Sequence, residues 1–168
     1  MKVYKFGGAS VRNADGVRNL AHIVEGEENL FIIVSAMGKT TNALERVFTH
    51  MQNQRKDEAN EEICQIKAYH AEIINDLWGE KTEIDEVTLL FGRLRNIVND
   101  ITYRQADAEL WYDTIVAFGE LISTTIISKY LNRIGTHNRW IDMRTTFITS
   151  QRHKDANVDI KASKLPLR

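Results

Sequence analysis

Apolar residues along this chain follow two rhythms. Residues 3–6 form a short β-type run that breaks at Gly7-Gly8, and Ser10 stands where a helix running toward Val24 would be capped. After a loop over 26–29, Leu30-Phe31-Ile32-Ile33-Val34 is continuous, apolar and partly β-branched, the pattern of a strand buried on both faces. A second turn, Ala36-Met37-Gly38-Lys39-Thr40-Thr41-Asn42, leads into a helix predicted over 43–54. A repeated strand–turn–helix order predicts an α/β fold with a mainly parallel sheet. Ligands of such sheets bind beyond the carboxyl ends of the strands, where both glycine-bearing turns lie.

The middle changes to helical spacing. Ile63, Ile66, His70, Ile73 and Leu77 recur on one face, and Ile84, Val87, Phe91, Leu94, Val98 and Ile101 on another. Two long amphipathic helices follow, joined at Trp78-Gly79-Glu80-Lys81-Thr82 with Thr82 as a cap. We read 56–104 as a helical hairpin inserted into the α/β pattern and packed against the sheet, its stripe forming core. A further helix is predicted over 113–132 and a strand over 138–142. Beyond Thr145 the periodicity is lost and the chain reads as loop.

Composition narrows the function classes. The 168 residues are 43% hydrophobic and 27% charged, enough for one domain with its own core. Acids and bases nearly balance, 23 against 22, without long runs of one sign, so neither nucleic acid nor a membrane surface is an expected partner. Cys64 is the single cysteine and reads as a reduced thiol. The start lacks the pattern of a secretory signal, and Glu120 with several hydroxyl residues interrupts the most apolar helix, so no bilayer span is expected. The expected location is cytoplasmic.

Candidate chemistry lies at the turns. Lys5-Phe6-Gly7-Gly8-Ala9-Ser10 places a cation at a strand end before two glycines and a helix start, so backbone N–H groups and a positive side chain can converge on phosphate. A plain strand-to-helix turn with a surface lysine has the same composition. Gly38-Lys39-Thr40 looks like the end of a Walker A loop, but that motif requires a glycine where Ile33 stands. In Ala117-Phe118-Gly119-Glu120-Leu121-Ile122-Ser123 a lone acid sits in an apolar helix, and a buried carboxylate needs a cationic partner. An internal salt bridge or a substrate ammonium would serve. The histidines show no metal-ligand spacing, and no metal site is expected.

The whole string Lys5-Phe6-Gly7-Gly8-Ala9-Ser10-Val11 resembles the opening signature of aspartokinases, with Ala9 where that family commonly has Thr. Val34-Ser35-Ala36-Met37-Gly38-Lys39-Thr40-Thr41-Asn42 is similar to the family's second turn, and Gly119-Glu120-Leu121 to its Gly-Glu pair. Asp142-Met143-Arg144 and Thr149 resemble the Asp-x-Arg and Thr before its next loop, with loop anchoring the favoured role here. The resemblance implies the three-layer α/β/α sandwich of the amino-acid kinase type, incomplete at its C-terminus over 1–168, without the nucleotide-binding half or ACT regulatory domains. It implies phosphoryl transfer from ATP, with Mg2+, to the side-chain carboxylate of L-aspartate, by a homo-oligomer, with a dimer expected. Lys5 would be catalytic, Lys5, Gly7, Gly8 and Ser10 would bind phosphate, and Ser35, Thr41 and Glu120 would hold aspartate. A kinase for glutamate or a carbamate-like acid is an alternative against which the Ser35–Thr41 spacing argues. A non-catalytic binding or oligomerisation module built on the hairpin is the other.

Overall fold

The computed structural model describes residues 1–100, 104–149, 157–159 and 163. Strands β1 (Lys2–Phe6) and β2 (Leu30–Val34) pair in parallel, with Lys2 opposite Leu30 and Phe6 opposite Val34. Between them runs α1 (Ala14–Val24), whose Ala14, Val17, Leu20, Ala21 and Val24 recur at helical spacing and are buried. After β2 come α2 (Thr40–Gln52), α3 (Lys56–Trp78), α4 (Asp85–Asp100), α5 (Ala108–Val116) and α6 (Phe118–Arg133). Short 3-10 turns occupy Gln105–Asp107 and Met143–Thr145.

The α/β class and the parallel pair agree with the sequence, but the sheet is covered on one side only among the described residues. Tyr4, Phe6, Leu30, Ile32 and Val34 join the core, whereas Val3 and Ile33, on the opposite face, are 55% and 44% exposed. Period-2 alternation decides this, since neighbours along each strand point to opposite faces. The expectation that β2 is buried on both faces does not hold here.

Helix α6 is the centre of the molecule. It touches β2, α2, α3, α4 and α5, and buries Leu121, Ile122, Ser123, Thr125, Ile126, Ile127, Tyr130 and Leu131. Buried hydroxyls there satisfy themselves on backbone, as Thr125 Oγ1 does by donating to the Leu121 carbonyl at 2.7 Å. The helix predicted over 113–132 is thus two helices, α5 and α6, meeting at Ala117. By length and composition the run Ala108–Arg133 is apolar enough to cross a membrane, against the expectation that no segment is, yet half of that apolar window is buried within the fold.

The hairpin α3–α4 buries the apolar stripes read from the sequence, Ile63 through Leu77 and Ile84 through Val98; Ile101 lies outside the described residues. Its principal neighbours are α1, α2 and α6 rather than the sheet. Gly79, with φ of +75°, ends α3 in the left-handed cap that glycine suits. Thr82 does not cap α4, which begins at Asp85; the Thr82 amide instead donates to Asn75 Oδ1 at 2.9 Å. The strand predicted over 138–142 is also absent. Those residues are pinned to α6, by Trp140 Nε1 donating to Thr124 Oγ1 and Ser128 Oγ donating to Asn138 Oδ1, so side chains rather than a ladder satisfy them. The polar loop over 151–155 and the closing stretch over 164–168 lie outside the described residues.

Candidate active site

Both strands end at the same edge, and the turns that follow are locked together. The Ser35 amide donates to the Phe6 carbonyl at 3.0 Å, and the Gly38 amide to the Gly8 carbonyl at 3.0 Å. Each turn has an apolar anchor in the core, Val11 in the first and Met37 in the second, both fully buried. A Cβ on Gly8 would overlap the Ala36 carbonyl oxygen, so only glycine permits this closeness. Gly7 is the opposite case: a Cβ there would meet nothing within 4 Å. Two adjacent glycines therefore do different things, one packing the turns and the other facing open space.

Among the described residues the backbone N–H groups of Gly7, Gly8 and Ala9 donate to no acceptor, while the Gly7 carbonyl is used by the Ser10 amide at 2.9 Å. Backbone amides left unpaired at an open turn are groups that an anion can satisfy. Lys5 is exposed one residue before the strand end and has no ion pair among the described residues. Ser10 is not the helix cap. Asn13 takes that role, its Oδ1 accepting from the Gly16 amide at 3.0 Å, so the turn has three more residues before α1 than the sequence suggested. The dipole of α1 is correspondingly farther from Gly7 and Gly8, and their amides are left as the principal donors.

The second turn leads into α2 at Thr40, earlier than predicted, with Lys39 at the cap position and no side-chain cap from Thr41 or Asn42. Thr40 Oγ1 donates to the Met37 carbonyl at 2.6 Å, and Ser123 Oγ donates to the Ser35 carbonyl at 2.9 Å. The hydroxyls of Ser35 and Thr41, both half-buried, make no hydrogen bond among the described residues. Neighbouring hydroxyls are thus consumed by the fold and these two are left over.

Glu120 arrives from α6. Gly119 has no room for a side chain, since a Cβ would lie 2.8 Å from the Ala36 Cβ and 3.3 Å from Leu44 Cδ1; this close approach brings α6 onto the second turn. The adjoining Glu120 Oε1 then lies 3.4 Å from the Ala36 amide. The expected buried carboxylate with a cationic partner is not found. Glu120 is exposed, in the first turn of α6 rather than mid-helix, and forms no ion pair among the described residues. Solvent removes the desolvation argument, and the carboxylate remains available to a ligand.

Asp142 and Arg144 form an ion pair, with Arg144 Nη2 2.7 Å from Asp142 Oδ2, and Asp142 Oδ1 also accepts from the Arg144 amide at 3.0 Å. The guanidinium holds the Asp142 carboxyl below its ordinary range. These contacts anchor the 3-10 turn. Thr149 meets Val158 in an isolated antiparallel bridge. Sequence reading missed Tyr69, whose ring on α3 reaches Gly38 and whose hydroxyl donates to the Arg12 carbonyl. It lies beside the apolar stripe and carries no motif.

A parallel pair with strand-end turns that present amides and two hydroxyls without a partner among the described residues, beside a lysine and a carboxylate, places the chain among α/β domains. A sequence model of the amino acid kinase family matches residues 1–165, and the chain belongs to that family. It is 34% identical over 166 residues to "Aspartokinase 2, chloroplastic" of Arabidopsis thaliana, covering 93% of this chain and 29% of that protein. "Aspartokinase 1, chloroplastic" of the same plant is 33% identical, covering 88% and 26%. Escherichia coli aspartokinase III, solved in complex with aspartate and ADP, superposes with a TM-score of 0.80 at 25% identity over 96% of this chain and 35% of that one. The fold is shared with Clostridium acetobutylicum aspartate kinase at a TM-score of 0.74 and 22% identity. The chain spans about a third or less of the length of these relatives.

Proposed function

We propose that the chain supplies the amino-terminal, aspartate-binding part of an aspartokinase, which transfers the γ-phosphoryl group of ATP to the side-chain carboxylate of L-aspartate and so opens lysine, threonine and methionine synthesis. The observation that carries this is that two joined turns at one sheet edge, with Glu120 against the second, bring two kinds of group together. The Gly7, Gly8 and Ala9 amides with Lys5 suit phosphate, and the Ser35 and Thr41 hydroxyls with Glu120 suit an amino acid.

In this reading Lys5 neutralises charge on the transferring group and Gly7 and Gly8 donate backbone N–H groups, with Ser10 at the rim of the same turn. Ser35 and Thr41 hydrogen-bond a substrate carboxylate, and Glu120 receives the ammonium. The nucleophile is already ionised at neutral pH, so alignment and charge stabilisation carry the rate. Mg2+ accompanying ATP would shield phosphate charge. On this reading 56–104 is the helical insertion, and the nucleotide-binding half and ACT domains belong to chain not represented in 1–168. The open sheet face at Val3 and Ile33 suits a homodimer or covering chain, which sedimentation velocity distinguishes from a monomer. A cytoplasmic location goes with the reading; the plant relatives are named chloroplastic, and fluorescence imaging of the tagged chain decides.

Calorimetric titration of the chain with L-aspartate and L-glutamate tests the substrate half, and an aspartate-dependent ADP-release assay on the whole gene product tests the reaction. Saturable binding of L-aspartate that Ser35→Ala and Thr41→Ala weaken is expected. Equal affinity for L-glutamate, or none for either, would sink the assignment.

A further inference from the structure

We propose that Tyr69 is a positioning residue that braces the two strand-end turns from α3, so that the helical hairpin sets the shape of the substrate mouth. Its hydroxyl donates to the Arg12 carbonyl, in the last part of the first turn, across 57 positions of sequence. The same hydroxyl lies where it would be 2.6 Å from a Cβ on Gly38, in the second turn. One side chain therefore touches both turns, which are themselves joined by the Gly38 amide and the Gly8 carbonyl.

Gly38 is held at φ of +56°, a left-handed conformation that glycine adopts without steric cost. Glycine is equally free to leave that conformation, and the Tyr69 hydroxyl packs against the turn at this residue. Behind Tyr69 the support is continuous. Its ring meets His70 edge-on with centroids 5.0 Å apart, and His70 in turn faces Phe91 of α4 at 6.0 Å. Arg18 on α1 donates to the Asp76 carbonyl on α3, fixing the helix against the element that follows the first turn. Burial raises the Tyr69 phenol above its ordinary value, so it remains a donor throughout the neutral range.

The consequence for ligands rests on the proposed aspartate-binding reading, because the braced segment 35–41 carries the Ser35 and Thr41 hydroxyls and the Ala36 amide that meets Glu120. Amide hydrogen exchange by NMR on the 168-residue chain reads the brace independently of any ligand. With Tyr69→Phe, which keeps the ring and removes the hydroxyl, exchange at Gly38 is expected to rise about fivefold, the factor one net hydrogen bond typically contributes. Amides inside α2 and α6 keep their rates. Wild-type exchange at Gly38, or a uniform rise throughout the chain with a fall in overall stability, overturns the brace. L-aspartate titrated into the same samples should bind about fivefold more weakly to Tyr69→Phe; unchanged affinity overturns the link to substrate. A wild-type chain that binds no L-aspartate defeats the functional reading, while the exchange arm still decides the brace. As a second variant, Gly38→Ala should be partly relieved by adding Tyr69→Phe, since its Cβ would meet the hydroxyl; simple addition of the two losses in denaturant midpoint overturns the contact.

Discussion

At the sheet edge the amides of Gly7, Gly8 and Ala9 and the hydroxyls of Ser35 and Thr41 have no described protein partner, and these residues are exposed or half-buried rather than enclosed. Inside the α3–α4 hairpin nearly every polar atom is at the surface or tied down, with His70 Nε2 and Asn60 Oδ1 as buried exceptions. The same deficit has different meanings in the two places. At an open mouth a free donor costs nothing while water fills it, so it is ready for a ligand. In an apolar core no water arrives, and the deficit appears as a penalty on charge. Each half of that contrast can be broken by a measurement.

The largest effect should come from the hairpin. His70 is fully buried, its Nδ1 lies 2.8 Å from the Ile66 carbonyl, and burial pushes its pKa down to about 4 from 6.5. With Nδ1–H donating, Nε2 keeps an unpaired lone pair. The folded state therefore binds a proton less readily than the unfolded chain. Stability from this group is complete above about pH 6.5, falls as pH drops toward 4, and levels off below; the gap corresponds to at most about 3 kcal/mol. Urea midpoints at pH 7 and 4 should differ by most of that gap, and His70→Leu should flatten the difference. An equal slope in the variant would move the titration elsewhere.

Next is Gly8→Ala. Its Cβ would overlap a backbone carbonyl, which cannot rotate away, so the two turns must part at a cost of about 2 kcal/mol. A denaturant midpoint within error of wild type would show that the turns are not jammed. Smaller again is Glu120→Gln, expected to weaken L-aspartate binding by about 1.5 kcal/mol for loss of one charge-assisted hydrogen bond, with the midpoint unchanged because Glu120 is exposed. Unaltered calorimetric affinity would remove Glu120 from the site.

How far these two regions were legible in the sequence follows the same division. The hairpin stripes were readable residue by residue, because periodic burial against a neighbouring helix is a local pattern. Glu120 was read as a buried acid within a helix, which it is not. A lone acid among apolar residues implies burial only if the helix runs uninterrupted, and the junction at Ala117 with the close approach at Gly119 places it in an open first turn instead. Ser10 was read as the cap because it follows the glycine break directly, whereas the helix is capped by Asn13 three residues on, which only the path of the turn decides. The strand expected over 138–142 failed since a strand requires a partner, and its residues bind α6. Tyr69 could not be found at all, as a hydroxyl bonding 57 positions away leaves no spacing to read.

The smallest stability effect is the sharpest test of the contrast, and it falls on Gly7, next to Gly8 in sequence. Nothing lies within 4 Å of a Cβ built there, and its φ is not in the left-handed region, so Gly7→Ala meets neither a clash nor the strain that a left-handed backbone would impose. Its midpoint should stay within about 0.5 kcal/mol of wild type, or rise slightly as the unfolded chain loses freedom. If the open space above Gly7 is where phosphate approaches the Gly7, Gly8 and Ala9 amides, the added methyl stands in its path. Binding of inorganic pyrophosphate, measured by calorimetry at low salt, should then fall severalfold in Gly7→Ala although the fold is intact. Lys5→Ala should reduce the same binding and make it less sensitive to salt, because an exposed cation acts through a screened charge. Pyrophosphate that binds Gly7→Ala as well as it binds the wild-type chain would mean that the unpaired amides serve only water, and that of the two glycines only Gly8 is required, for packing the turns.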